Sequence, residues 1–319
     1  MANSTYPTMT GAVGVTEADT FIPEIWSDEV KATYEMNLVC AKLVRNIDHS
    51  GQKGDTIHVP APGRGSAVSK AENVAVTIQN DVATSVDILI DNHYEYSKII
   101  EDIVEIQAKD SYRRFYTEDA GYALATQVDS HILLRGKYLG DDNGSGSDWI
   151  HSNSYYADAT NNLTAYAADV VTTSDVVTAV AIREMVKDLD DSDIPMNDRN
   201  WVVPPSVKLD LLGITEFTSS DFITGSPNQS GILGDIYGTT VYLTTNCPEV
   251  ETAAANTAGD RLIASMMFHR DAIVLATQAD VRSQTQYKQE YLGDLFTADT
   301  IYGVHEFQQE AGIILVVND

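Results

Sequence analysis

Cysteine is nearly missing from this chain, with only Cys40 and Cys247 in 319 residues. Neither belongs to a CxxC pair, so a disulfide framework and zinc-finger spacing are both excluded. Read alone, they are two buried, reduced thiols that behave as small hydrophobes. Long apolar runs are missing too. No stretch reaches the roughly 18 residues that a membrane-crossing helix requires. Met1 to Thr10 carries neither the basic start nor the apolar centre of a secretory signal. The chain is therefore expected to work in the compartment where it is made. Basic residues are scarce as well, 20 against 47 acidic ones, for a formal net charge of −27. That balance excludes a protein that wraps DNA by neutralising phosphates, though not one that lives beside DNA.

Catalytic and ligand motifs are absent from the sequence. There is no HExxH, no GxSxG and no phosphate-binding glycine loop. The histidines are scattered and read as surface or core residues rather than ligands. Asp141, Asn143, Ser145 and Gly146 imitate the opening of a calcium loop, but the twelfth position is Ser152 instead of a bidentate glutamate. A flexible acidic loop is the better reading. The run Asp188 to Asp193 reads as a solvated turn. Paired carboxylates are too common in so acidic a chain to indicate glycosidase chemistry.

What is present is the composition of a globular protein, 43% hydrophobic and 21% charged, which predicts one to three domains with a substantial core. Met1 to Thr20 is rich in Ser, Thr, Gly and Ala and reads as an arm held by another subunit. A helix is predicted after Pro23, with Trp26, Val30 and Tyr34 on one face. Asn37 to Arg45 extends or restarts it. From Gly54 to Asp91 the chain reads as an extended hairpin. Ile57 and Val59 share a face, Gly63-Arg64-Gly65-Ser66 interrupts, and Gln79-Asn80-Asp81 turns. Val74, Val76 and Ile78 alternate, as do Val86, Ile88 and Ile90, which predicts half-buried strands. A hairpin this long with no helix to cover it is marginal alone, so it is expected to rest on a neighbouring copy.

Ile99, Ile103 and Ile106 predict a short helix ending near Ala108. Asp110 or Ser111 then caps a long helix to about Arg135, stopped by Gly136. Its 25 or so residues give a rod of roughly 38 Å. The loop Asp141 to Asp148 marks entry to a second domain. A helix over Asp169 to Leu189 follows, capped by Ser174 or Asp175. Trp201 to Val203 is a strand stopped by Pro204-Pro205, and Ser206 to Leu212 a short helix. Beyond a loop from Thr218 to Gly231, strands are predicted at Thr239–Thr245, Arg261–Phe268, Val281–Tyr291, Tyr302–Gln308 and Ile313–Val317. The fold class is α+β.

Three segments carry a family resemblance. The first runs from Leu189-Asp190-Asp191-Ser192-Asp193-Ile194-Pro195 to Trp201-Val202-Val203-Pro204-Pro205. The second is Gly231-Ile232-Leu233-Gly234-Asp235-Ile236-Tyr237-Gly238, leading into Val241-Tyr242 and Thr245-Asn246. The third combines Phe268-His269-Arg270-Asp271-Ala272 and Gln278 with Tyr302-Gly303-Val304 and Gly312-Ile313-Ile314-Leu315. In this order they resemble the major capsid proteins of tailed double-stranded-DNA bacteriophages with the Hong Kong 97-type fold, nearest the podovirus-type coats. One departure is Met196-Asn197-Asp198-Arg199, where the family pattern has a glycine in the turn.

The resemblance implies an amino-terminal arm and helix (1–53), an extended loop (54–91) and a peripheral domain with a spine helix (92–140). It further implies an axial domain (about 141–270) and a return to the peripheral domain (271–319). It implies homo-oligomeric pentamers and hexamers, a virion capsid assembled in the host cytoplasm, and no membrane. The shell would enclose double-stranded DNA without sequence-specific binding. The partners implied are a separate scaffolding protein, since no long helical precursor segment precedes the arm, a portal, and a cement or decoration protein. No cofactor, metal or catalytic residue is expected. Inter-subunit contacts are expected at Lys70 and Glu72 near the tip of the extended loop, at Arg64, and at Tyr237. The 16 tyrosines against seven phenylalanines suit interfaces that bury a ring and leave its hydroxyl a partner. The alternatives are an encapsulin-like bacterial nanocompartment shell and, from another class, an acidic carbohydrate-active enzyme.

Overall fold

Alternation and β-branched residues put more of the described chain into strands than into helices. The computed structural model describes residues 30, 33–34, 38–51, 53–61, 67–76, 78, 84–101, 112–140, 149–158, 162–167, 170–171, 175–214, 234–250 and 261–318. Among them are thirteen strands and three full α-helices. Several expectations lie outside the described residues: the arm, Trp26, Arg64, Ile103, Ile106, the caps Asp110 and Ser111, and the loops 141–148 and 218–231.

The strands are β1 (Arg45–Asp48), β2 (Thr56–Ala61), β3 (Thr84–Leu89), β4 (Asn92–Glu101), β5 (Ser154–Ala157), β6 (Leu163–Ala165) and β7 (Arg199–Val203). They continue as β8 (Asp235–Ile236), β9 (Thr239–Leu243), β10 (Leu262–His269), β11 (Ile273–Lys288), β12 (Gly293–Glu306) and β13 (Gly312–Asn318). The helices are α1 (Tyr112–Leu134), α2 (Ala179–Asp191) and α3 (Pro205–Gly213). Three sheets result: a seven-stranded one ordered β6-β5-β13-β10-β7-β9-β8, a four-stranded one ordered β1-β11-β12-β4, and the ribbon β2-β3. The chain divides into two compact units, residues 1–37, 93–125 and 280–300 in one, and 38–92, 126–279 and 301–319 in the other.

The second unit holds the seven-stranded sheet. β13 pairs antiparallel with β10, from Phe268 opposite Gly312 to Leu262 opposite Asn318. Its run Ile313 to Val317 is buried throughout, as continuous apolar sequence demands. β7 lies between β10 and β9, antiparallel to the first and parallel to the second. At that centre the Trp201 indole donates to Ser265 Oγ at 2.8 Å, and Ser265 donates to the Val202 carbonyl at 2.9 Å. The buried polar atoms thereby satisfy one another.

Helix α2 begins ten residues later than the pattern from Asp169 predicts. The β-branched stretch before it is poor helix sequence, and the cap is Thr178, whose hydroxyl accepts from Ala181 N at 3.3 Å. Ala181, Ile182, Met185 and Leu189 form its buried face. The helix ends in a left-handed residue, Asp193 (φ 56°), with Ile194 N donating to the Leu189 carbonyl, an arrangement that usually recruits glycine. The acidic turn is not simply solvated. Asp190 accepts from Arg199, whose side chain is 2% exposed and also donates to the carbonyls of Pro195 and Ile194. Where the family pattern expects glycine, Asp198 itself takes a left-handed φ of 58°, which Asp tolerates better than most residues.

Helix α1 matches the predicted rod at 23 residues, about 35 Å long. It passes into a single 3-10 turn at Arg135–Tyr138, so Gly136 lies within that turn rather than ending the helix. The expected short helix at Ile99 is instead part of β4. The stretch Asn37 to Arg45 neither extends nor restarts a helix beyond a 3-10 turn at Cys40–Lys42, and β1 follows.

Candidate assembly surfaces

The extended hairpin has a base tied into its own molecule and a tip whose described residues are exposed. β2 and β3 pair in antiparallel register from Thr56 opposite Leu89 to Ala61 opposite Thr84. Ile90 N donates to the Asp55 carbonyl at 2.8 Å, and Gln278 donates to the Gly54 carbonyl at 2.9 Å. Alternation aims Ile88 and Ile90 inward, where they pack with Val274 and Ala276 and with the half-buried Ile47, Ile57 and Val59. Gly303 of β12 meets the Leu89 carbonyl and Ile90 Cα with no room for a Cβ. That backbone approach is possible only without a side chain. On the outer face His58 and Asp87 stand opposite each other, 2.6 Å between Nδ1 and Oδ1. The His58 hydrogen bond holds the Asp87 carboxyl below its ordinary range.

Beyond the base the arm changes character. Residues 67–76 and Ile78 are exposed and form no strand, so the alternation of Val74, Val76 and Ile78 does not mark one. Their exposures are 58%, 68% and 86%, and apolar side chains this open lack a partner surface. Lys70 and Glu72 are exposed beside them, with Asn73 turning the chain at φ 60°. The premise that the whole ribbon needs a neighbour is thus corrected: its base buries its own apolar face, and only the tip is left open. Tyr237 lies elsewhere, at the β8–β9 turn on the edge of the seven-stranded sheet. It and Gly238 have φ of 49° and 79°, the signature of a tight two-residue hairpin turn, and its ring is 40% exposed.

Sequence reasoning missed Asp129. Fully buried on α1, its carboxylate accepts from the backbone N–H groups of Val39, Cys40 and Ala41 at 2.9, 3.1 and 3.2 Å. Burial raises its carboxyl while those three donors pull the other way. The residue fixes the turn that feeds β1, and a lone Asp among helix positions gives no sign of that role. The thiols are buried as expected. Burial pushes Cys247 up to about 12, and burial with Asp129 and Cys247 nearby raises Cys40 well above the ordinary thiol range.

In the first unit, β4, β11 and β12 are pinned across their exposed face. Arg282 donates to both oxygens of Asp299, at 2.7 to 3.0 Å, and His93 Nε2 lies 3.0 Å from the same carboxylate. Burial alone would raise Asp299, but the Arg282 and His93 contacts outweigh it and hold it below its ordinary range. No group of three or more His, Cys, Asp or Glu side chains suited to a metal occurs among the described residues. No described helix is long and apolar enough to cross a membrane.

The architecture has close counterparts among solved structures. A chain of Mycobacterium phage Che8 superposes with a TM-score of 0.66 at 19% identity, covering 87% of this chain and 90% of that one. A capsid chain of cyanophage P-SCSP1u gives 0.67 at 17% identity, covering 88% of each. The virus-like particle of Pyrococcus furiosus gives 0.52 at 12% identity, covering 92% and 98%. At such identities the likeness establishes the fold, an α+β chain of the Hong Kong 97 type. No curated protein matches in sequence. The family model described as phage capsid protein spans residues 27–316. This chain, which turns an open hairpin tip outward from a firmly anchored base, belongs to the phage capsid protein family.

Proposed function

We propose that the chain is the repeating subunit of an icosahedral shell, assembling as pentamers and hexamers around double-stranded DNA. The carrying observation is the hairpin of residues 54–91, which is internally anchored at its base and apolar and unpartnered along its described tip. The tip lies over a neighbouring copy, where Lys70 and Glu72 meet opposite charges, and Arg64 and Tyr237 make further inter-subunit contacts. Residues 141–270, whose sheet β13 completes, form the axial domain, and 92–140 with the strands of 271–306 form the peripheral one. Each contact is modest, and closure of the shell makes them cooperate.

A wall bearing a net charge of −27 repels packaged nucleic acid instead of binding it. A separate scaffolding protein guides assembly in the host cytoplasm, with a portal and a decoration protein as further partners. No catalytic activity accompanies the structural role. The family match lies with phage capsids, which places the nanocompartment and carbohydrate-active readings behind this one.

Deleting Lys70 to Asp81 is the test. The expected product is a folded subunit, by circular dichroism, that fails to form stable shells in negative-stain images. Normal particles from that deletion would remove the tip from the mechanism.

A further inference from the structure

A pocket of about 570 Å³ opens in the second unit between the start of α2 and the end of α3. Its walls are aliphatic, with Val176 and Val180 on the α2 side and Leu209 and Ile214 on the α3 side. Val176 and Leu209 are 47% and 73% exposed, so the walls leave apolar surface open to water. A concave site of this size, apolar with a few polar groups, is the usual form of a binding pocket.

Two charged side chains also line it, Arg183 and Asp210. Arg183 is exposed, and its guanidinium makes no ion pair or hydrogen bond among the described residues. In a chain with 47 acidic residues against 20 basic ones, a cation left without an acid is informative. The first turn of α2 supplies no acidic partner, and the adjacent Glu184 is committed to the Leu163 N–H at 2.7 Å. Asp210 does not reach Arg183 either. Its Oδ2 accepts from Val177 N at 3.1 Å. Burial raises the Asp210 carboxyl while that N–H pulls the other way, so a further donor would stabilise the carboxylate.

An aliphatic body, a carboxylate for Arg183 and an N–H for Asp210 occur together at one place in protein chemistry, the carboxyl terminus of a peptide ending in an aliphatic residue. The guanidinium fork matches a carboxylate, and the last N–H belongs to the same residue as that carboxylate. We propose that this pocket captures the aliphatic C-terminal tail of a different protein, with Arg183 on the terminal carboxylate and Asp210 on the last backbone N–H. This chain's own aliphatic run, Ile313 to Val317, is already paired in β13 and does not supply the tail. The pocket goes beyond the shell-forming role and does not require it.

The test follows the fluorescence polarisation of a dye-labelled Gly-Ser-Val-Leu peptide, with its carboxylate intact or amidated, titrated with purified subunits and with the shells they form. The acid should bind roughly tenfold more tightly than the amide. Arg183→Gln should cost the acid about tenfold and leave the amide unchanged, and Leu209→Ser should weaken both. Both residues are exposed, so each variant should melt at the wild-type midpoint. Equal binding of acid and amide, or no binding of either below about 5 mM, would overturn the proposal. Binding to subunits that disappears in shells would give the pocket to a neighbouring copy and overturn it too. The subunit titration does not depend on shell formation, so the pocket and the shell role can fail separately.

Discussion

Three backbone N–H groups converge on the Asp129 carboxylate, and two carbonyls with Asp190 converge on the Arg199 guanidinium. Both side chains are buried; Asp129 organises backbone far from it in sequence, and Arg199 the turn four and five residues before it. Asp129→Ala leaves the three donors at 39–41 without an acceptor, so a loss of about 2–4 kcal/mol is expected, read as a lower denaturant midpoint. Asn, with one acceptor oxygen left, should fall between. Arg199→Lys keeps the charge but loses the fork that reaches Ile194, Pro195 and Asp190 together. About 2–3 kcal/mol should go with it, and a midpoint equal to wild type would show the fork to be dispensable. Neither role was legible in the sequence. A lone Asp on a helix and an Arg at the start of a strand look like any others until folding brings those backbone groups to them.

Elements were legible where one periodicity held without competition. Helix α1, the β7 strand with its Pro-Pro stop, and the apolar β13 all fall where the residue pattern puts them. The failures share a cause. Ile99 has helical spacing with Ile103 and Ile106, yet its pairing in β4 overrides that spacing. The stretch 74–78 alternates like a strand, but its described residues pair with no described strand, so alternation there marks exposure. The hairpin was legible as an arm, and the division between its anchored base and open tip was not, because Gly303 and the 274–276 strand lie more than 180 residues away. At this scale Asp299 ties three strands. Its lowered carboxyl contributes stability that is present above the ordinary Asp pKa and lost as pH falls through the folded value. Acid melting of the β4-β11-β12 face is therefore expected below about pH 4, and Asp299→Asn should remove that part of the acid limb. An unchanged acid profile would relieve the carboxylate of that role.

For the whole molecule, like charge is the main obstacle to association. Raising salt from about 0.05 M to 0.5 M shortens the screening length from roughly 14 Å to roughly 4 Å. Shell formation followed by light scattering should quicken over that range. A slowing would mean that attractive ion pairs govern assembly, which would favour contacts such as Lys70 and Glu72 over the apolar residues of the hairpin tip. The enclosed indoles offer an optical readout of a different event. Trp149 and Trp201, 2% and 0% exposed, both belong to the unit built on the seven-stranded sheet, and the third tryptophan is Trp26. With Trp26 replaced by phenylalanine, ultraviolet emission would be blue-shifted in the native chain and would redden only when that sheet opens. Scattering and fluorescence recorded on one sample would then time capsomer joining and subunit unfolding separately.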